Sequence, residues 1–345
     1  MSTPLFGLAA VSRWHRVYSG LCRATLCRAS LLAAALLAGL ALPGRVSAEC
    51  PLPQIRLERI ALDVWLVPGQ PGEADAVNRG QVSNLVLVGD GVRLWALGSG
   101  PSPAFGLALA CQVKQTLSRA ITDVISPWTR PELVLGSNGL GQVRRWAHAS
   151  VAAAMAEQCP QCVSRLSERL RHAASDLGPS PLPPLPPPSQ RLQGESGSLG
   201  PLDWWRLPRS EQRWVTVWRV RAAPVWIAHG LLNANGPADG RDADLALLAE
   251  SAERLVTLAA TDGAAARWIG DQGPVADAGA PQRQADYGRT LLAKAREALL
   301  SGVDEAAPPP SWPGLPPGWA VDSLHALNWQ RAWRQAEADY FKAPK

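Results

Sequence analysis

The sequence predicts an α/β protein built as two similar halves, each a β-sheet covered by helices on one face. Three observations predict it. Strand-length runs rich in Val, Ile, Leu and Trp alternate with helix-length amphipathic segments. The order strands, hairpin, helix, strand, helices runs over residues 55–176, and strands followed by helices return over 214–339. Hydrophobic residues make up 47% of the 345 and charged ones 18%, enough apolar surface for a sizeable core.

Each element has its local reason. Residues 55–67 alternate as strands do, with a break near Ala61. Residues 78–89 give a further strand, Asp90-Gly91 is a hairpin turn signal, and residues 92–97 form its partner. Ser102 and Pro103 suit the N-cap and first turn of a helix over about 103–118. The apolar run 120–125 reads as a buried strand, and the loop Ser126-Pro-Trp-Thr-Arg-Pro-Glu-Leu-Val-Leu-Gly136 follows it. A loop at the C-terminal end of a strand is a usual seat of chemistry in α/β proteins. Residues 145–157 and 160–176 read as helices. A Pro-rich stretch over 178–189 must be extended, read as a stiff internal spacer rather than a ligand for an aromatic groove, and the chain to Gly200 is loop-like. Strands are expected at 214–220 and 224–228, and helices at 242–260 and 281–301. A second Pro-rich linker, 308–317, leads to an amphipathic helix over 321–339.

The formal charge of +5 misleads. Residues 1–48 hold five Arg and no Lys, Asp or Glu, so the remainder carries 29 basic against 29 acidic residues and makes no electrostatic case for nucleic acid. Those 48 residues read as a secretory signal: an Arg-bearing n-region, an apolar run over 29–42, and the small-residue site Val46-Ser-Ala48. The apolar run is short for spanning a bilayer, and Glu49 before Cys50 spoils a lipoprotein box. The expectation is a periplasmic protein, free of the membrane after cleavage. Four cysteines then remain, Cys50, Cys111, Cys159 and Cys162, an even count that favours disulfides in an oxidising compartment. Cys159-Pro-Gln-Cys162 reads as a structural disulfide. A redox pair, with Cys159 at a helix N-terminus, and a metal site stay open. Cys50 with Cys111 would tie the mature N-terminus to the first helix.

Several short motifs, in order and spacing, carry a resemblance. They are Glu73-Ala-Asp-Ala-Val-Asn-Arg-Gly-Gln-Val-Ser-Asn-Leu-Val-Leu-Val-Gly89, Ser102-Pro-Ala-Phe-Gly106, Arg130-Pro-Glu132 with Gly136, Gly270-Asp-Gln-Gly-Pro274, and His325-Ala-Leu-Asn-Trp-Gln-Arg331. With them the chain resembles the metallo-β-lactamase-fold hydrolases, nearest the exported branch called quinoprotein relay system zinc metallohydrolases, over most of 55–340. The resemblance implies a four-layer αββα sandwich of α/β (α+β) class. A globular domain would span 49–307 with its internal linker at 178–200, and 308–345 would supply a linker and a C-terminal helical extension. It also implies a zinc-dependent hydrolase motif, H-x-H-x-D-H, on the loop after a strand, and periplasmic quinoprotein dehydrogenases or c-type cytochromes as partners.

Threaded through that motif, the sequence departs from it. Trp128 stands at the first His, Arg130 at the second, Glu132 at the Asp and Leu133 at the third His. Gly98 replaces an Asp before the first helix. A later His falls near Glu211, the bridging Asp falls near Gly230 beside His229, and the final His becomes Gln272. Zinc wants imidazole nitrogens and carboxylate oxygens at about 2 Å. A guanidinium there opposes a cation by ~4 kcal/mol per unit charge at 4 Å and an effective dielectric of ~20. The expectation is a binding or accessory protein with no catalytic residues, no cofactor and a former metal pocket. The alternatives are a hydrolase rebuilt on Glu132, Glu211, His229 and Asp271, or a thiol–disulfide protein using Cys159 and Cys162. Arg130 and Glu132 are expected as a partly buried pair. Trp128, Trp204, Trp205 and Trp214 are read as core filler, with an apolar groove as the other reading. His229 reads as structural, His148 and His172 as solvated on helix faces, and His325 as packing or capping.

Overall fold

The computed structural model describes residue 50 and residues 55–179 and 187–342. The expected leader and most of the 178–189 stretch lie outside the described residues. Among the described residues two sheets form, of seven and five strands.

The first sheet runs in chain order: β1 (Glu58–Ala61), β2 (Val64–Val67), β3 (Leu85–Gly89), β4 (Leu94–Leu97), β5 (Asp123–Ile125), β6 (Arg144–His148) and β7 (Gln190–Leu192). The break near Ala61 is a turn that makes β1 and β2 an antiparallel hairpin, with Asp63 in the left-handed region at φ 54°. The Asp90-Gly91 hairpin joins β3 and β4. β3 is shorter than the predicted 78–89 because Asn78 builds a turn instead. Its Oδ1 accepts from the Asp75 and Gly80 amides, and its Nδ2 donates to the Glu73 carbonyl. The second sheet has the order β12 (Arg267–Ile269), β11 (Val225–Ile227), β10 (Arg213–Val220), β9 (Leu202–Ser210), β8 (Ser196–Leu199).

Period-two alternation builds the layers. In β3, Val86 and Val88 face the second sheet with Trp95, Leu97, Trp204, Trp218, Val220 and Ile227, while Leu85 and Leu87 face the opposite way, toward the helices. There they join Phe105, Leu109 and Val113 of α1 (Pro103–Leu117), which Ser102 caps by accepting from the Phe105 amide. On the second sheet's outer face Val215, Val217 and Trp226 share a core with α4 (Leu245–Leu258) and α5 (Ala280–Leu300). Helix, sheet, sheet, helix is the resulting order, an αββα sandwich.

Four expectations change. The two helices predicted over 145–176 are instead β6 and one helix, here α3 (Ala149–Leu170), that runs through Pro160. Val151, Met155, Cys159, Leu166 and Leu170 form a buried stripe along α3, and that burial outweighs the single backbone bond a proline cannot make. His148 is not solvated: it is buried, caps α3 by accepting from the Ser150 amide, and its other ring nitrogen donates to the Gly194 carbonyl. The segment up to Gly200 holds β7 and β8, and β9 follows where no strand was predicted. Its alternation slips between Trp204 and Leu207, so only its full-length pairing with β10 reveals it. Finally, Cys159 and Cys162 are free thiols rather than a disulfide. Cys159 lies mid-helix in the core, where burial, then Cys162 nearby, pushes its thiol up to about 11, the reverse of a helix-start cysteine.

The C-terminal extension is α6 (Pro317–Ala320) and α7 (Ser323–Lys342), packed on α5. His325 is buried, contacting the Tyr287 hydroxyl and the Pro310 carbonyl. Asn328 accepts from the Gly240 amide and donates to the Ala238 carbonyl, so this helix fixes the loop that carries Asp239. None of the described helices is long and apolar enough to cross a membrane.

Cys50 and Cys111 form a disulfide that holds the start of the described chain to α1 across a separation of 61 residues. Closing a loop of that length constrains the unfolded chain, so Cys111→Ala is expected to lower unfolding free energy by about 2–4 kcal/mol with unchanged far-ultraviolet circular dichroism. Urea titration of the oxidised protein and the variant checks this.

Candidate functional site

The loop after β5 is sewn to both sheets before any side chain of the site is placed. The Ser126 amide donates to the Trp146 carbonyl in β6, and the Pro127 carbonyl accepts from the Thr216 amide in β10. Pro131 then opens the one-turn helix α2 (Pro131–Val134), and the Leu133 carbonyl accepts from the Ser99 amide. The loop therefore presents Trp128, Arg130 and Glu132 in a fixed order at the strand ends.

Arg130 is the hub. Its side chain is 12% exposed and lies 3.5 Å from Glu132 Oε2 and 3.8 Å from Asp239 Oδ2. The expected Arg130–Glu132 pair is thus present, with Asp239 as a further partner. Burial works against the Arg130 charge. The carboxylates of Glu132, Asp271, Asp239 and Glu73 more than offset it and hold the guanidinium above its usual range. Asp239 is in turn gripped by Arg241, whose Nε lies 3.0 Å from both carboxylate oxygens. Burial alone would raise the Asp239 pKa, but that bond and the Arg130 charge bring it to about 2.

A second cation lies behind the first. Arg209 is fully buried in β9 and donates to the Gly230 and Asp239 carbonyls and to Asp242 Oδ1. Its guanidinium carbon lies 4.3 Å from the Trp128 ring centroid, and that of Arg130 lies 5.5 Å away. Trp128, 5% exposed, therefore lies within cation–π distance of two guanidiniums. Asp239, Arg209 and Arg241 were not singled out from the sequence. The signal for Arg209 was an arginine in an alternating run, legible only once β9 is recognised.

Two glycines explain how this arrangement fits. Gly98 (φ +82°) and Gly230 (φ +79°) occupy the left-handed region that favours glycine. A Cβ on Gly98 would meet a Leu133 methyl at 2.7 Å, and one on Gly230 would meet the Trp128 ring at 3.1 Å. Leu133 and Trp128 fill the volume that side chains at 98 and 230 would otherwise take.

Beneath lies a buried polar layer. His229 Nε2 donates to the Asn84 carbonyl at 2.8 Å, which leaves Nδ1 unprotonated and, among the described residues, without a hydrogen-bond partner. Asp271 Oδ2 accepts from the Gly230 amide at 3.0 Å, and its Oδ1 has no partner among the described residues. Asn84 binds the Gly69 amide and the Gly270 and Gly273 carbonyls, so it ties the β3 entrance to the 270–274 turn. Burial lowers His229 to about 4, and burial raises Asp271 to about 6 despite Arg130 and Arg209.

Not every predicted site residue gathers here. Glu211 lies in the exposed β9–β10 turn, outside the cleft, and cannot join Glu132, His229 and Asp271 in a rebuilt site. Gln272 lies at the edge of a small pocket of about 150 Å³ with Asp271 and Asp239, and its amide donates to the Gly72 carbonyl. Trp204 is buried between the sheets, Trp205 stacks on Trp226, and Trp214 lies 3.8 Å beneath the Arg206 guanidinium. Cys162 lines a larger cleft of about 460 Å³ with Trp128, Arg130 and Glu132.

No protein-family model matches the sequence, and no curated protein does. The architecture is decisive where the sequence is silent. The fold is the metallo-β-lactamase fold. The chain is similar to the metallo-β-lactamase FIM-1 of Pseudomonas aeruginosa, solved in a mono-zinc form, at 16% identity over 70% of this chain and 97% of that one, with a TM-score of 0.54. It is similar to metallo-β-lactamases from Hirschia baltica (13%, 68% and 98%, 0.52) and Pontibacter korlensis (12%, 68% and 99%, 0.54).

The residues at the strand ends of this metallo-β-lactamase fold do not suit zinc. An indole, a guanidinium and an isobutyl group stand at 128, 130 and 133, and the Glu132 carboxylate already faces Arg130. Among the described residues no three of His, Cys, Asp and Glu converge to hold a metal ion. His229 Nδ1 is a single free imidazole donor, short of the three or four ligands zinc takes.

The buried layer gives a pH signature. Asp271, raised to about 6, contributes stability that is complete below its unfolded value of 3.8 and lost as pH rises through 6. His229, lowered to about 4, contributes stability that is complete above 6.5 and lost as pH falls through 4. Each effect is on the order of 3 kcal/mol, and they oppose each other in one window. Asp271→Asn keeps an acceptor for the Gly230 amide and removes only the first. Relative to the unmodified protein, its unfolding free energy is expected to rise by about 3 kcal/mol between about pH 4 and pH 7, read from urea midpoints at each pH.

Proposed function

We propose that this is an exported accessory or binding protein on a metallo-β-lactamase fold that no longer uses zinc for hydrolysis. The observation that carries the reading is the Arg130 guanidinium, held by Glu132 and Asp239 where the resemblance expects a metal-ligating imidazole. A dication beside that fixed charge loses on the order of 8 kcal/mol at 4 Å and an effective dielectric of ~20, and Leu133 supplies no lone pair to offset it. The carboxylates that could have attracted a metal instead neutralise arginines. The fold stands without a metal because its core is sheet-on-sheet and helix-on-sheet burial of apolar side chains.

Export is proposed from the leader-like residues 1–48, and the Cys50–Cys111 disulfide is consistent with an oxidising compartment. The resemblance to the quinoprotein relay branch points to periplasmic quinoprotein dehydrogenases or c-type cytochromes as partners. Elemental analysis after dialysis from excess zinc is expected to find far less than one ion per chain. One or two equivalents of zinc that vanish in Glu132→Ala would overturn the reading.

A further inference from the structure

We infer that the 460 Å³ cleft beside α3 is a binding site for a small organic monocarboxylate with an apolar body. Charge matching around the cleft carries this, and it rests on the reading of the cleft as a binding rather than a hydrolytic site.

Five arginines line the cleft: Arg130, Arg165, Arg169, Arg213 and Arg241. Four have carboxylates. Arg130 has Glu132 and Asp239, Arg241 has Asp239 and Glu73, Arg169 has Glu73, and Arg213 has Glu157. The remaining lining acid, Asp242, is taken by the buried Arg209. Among the described residues Arg165 faces no carboxylate within ion-pair distance. Its one hydrogen bond is from Nη2 to the Cys162 thiol at 3.4 Å, a weak acceptor. One positive charge is therefore unmatched at the cleft wall, next to the neutral amide of Gln161.

A single unmatched guanidinium calls for a single negative charge. A carboxylate takes its two parallel N–H groups in a fork, whereas a phosphate dianion would bring a second charge with no free cation to meet it. The cleft also has room for an apolar body. Pro131 supplies part-exposed carbon surface beside the edges of the buried Trp128 and Leu166, and the volume lies within the range of small-molecule sites. Arg165 is exposed on α3, one turn beyond Cys162, so it can swing its fork toward the ligand without breaking a core contact.

The test is calorimetric titration of the purified protein, dialysed against chelator, with 4-phenylbutyrate. Parallel titrations use 4-phenylbutylamine and inorganic phosphate. Saturable one-site binding of the carboxylate is expected, weaker in high salt, with no binding of the amine and weaker binding of phosphate. Arg165→Gln is expected to weaken carboxylate binding at least about tenfold at an unchanged melting temperature, since a charge-assisted bond is lost from an exposed position. Arg165→Lys should recover part of it. Absence of saturation, equal affinity for the amine, tighter binding of phosphate, or an unaffected Arg165→Gln variant would each overturn the inference. Zinc content is measured on a separate sample of the same protein, loaded with excess zinc and dialysed without chelator. A zinc-free protein that ignores the carboxylate sinks this inference alone, whereas stoichiometric zinc sinks the reading beneath it.

Discussion

The Arg130 guanidinium, buried at the strand ends and shared between Glu132 and Asp239, is the interaction on which the rest of the site depends. A buried cation is tolerated only when carboxylates surround it, and removing a partner from such a pair typically costs about 3–5 kcal/mol. The need for neutralisation propagates outward. Asp239 serves Arg130 and Arg241, Glu73 serves Arg241 and Arg169, and Asp242 serves Arg209. The carboxylates that line the cleft are thereby committed to arginine, and the two free atoms behind them, Asp271 Oδ1 and His229 Nδ1, are too few for a zinc set. The same accounting leaves one arginine over.

Shape follows charge. The Trp128 ring lies within cation–π distance of both guanidiniums, and Leu133 takes the space over Gly98. The positive φ of Gly98 and Gly230 permits this close approach, so the indole and the isobutyl group occupy the volume beside them. The α7 helix contributes from a distance: Asn328 binds both Ala238 and Gly240, so the loop bearing Asp239 is held from the far side. Behind the arginines, His229 and Asp271 stay within the interior with one unpartnered atom each, a layer whose opposite titrations mask one another.

Much of the architecture was legible locally. The Ser102 cap, the Asp90-Gly91 hairpin, the break near Ala61 and the alternation of Leu85–Val88 are nearest-neighbour signals that need no tertiary partner. What failed were signals that local chemistry gets wrong. Pro160 argued for a helix start, yet the buried stripe of α3 carries the helix through it. Cys159 and Cys162 argued for a disulfide, yet the unbroken helix keeps them as thiols. Pro208 and Arg206 disguised β9, whose identity rests on eight paired positions with β10 rather than on its own alternation. For the site, the unusual residues at 128, 130, 132 and 133 were visible, but their partners were not. Arg209, Asp239 and Arg241 lie about 80–110 positions away along the chain, beyond any local pattern.

The sequence by itself determined which groups are available at the loop after β5, and with them the poverty of imidazole there, because side-chain chemistry is written residue by residue. The tertiary structure alone decided which carboxylate meets which arginine, that Glu211 stays outside, and that Arg165 meets no counter-charge among the described residues. Those are facts about distance across two sheets and a helix, and electrostatic pairing depends on distance, not on order along the chain.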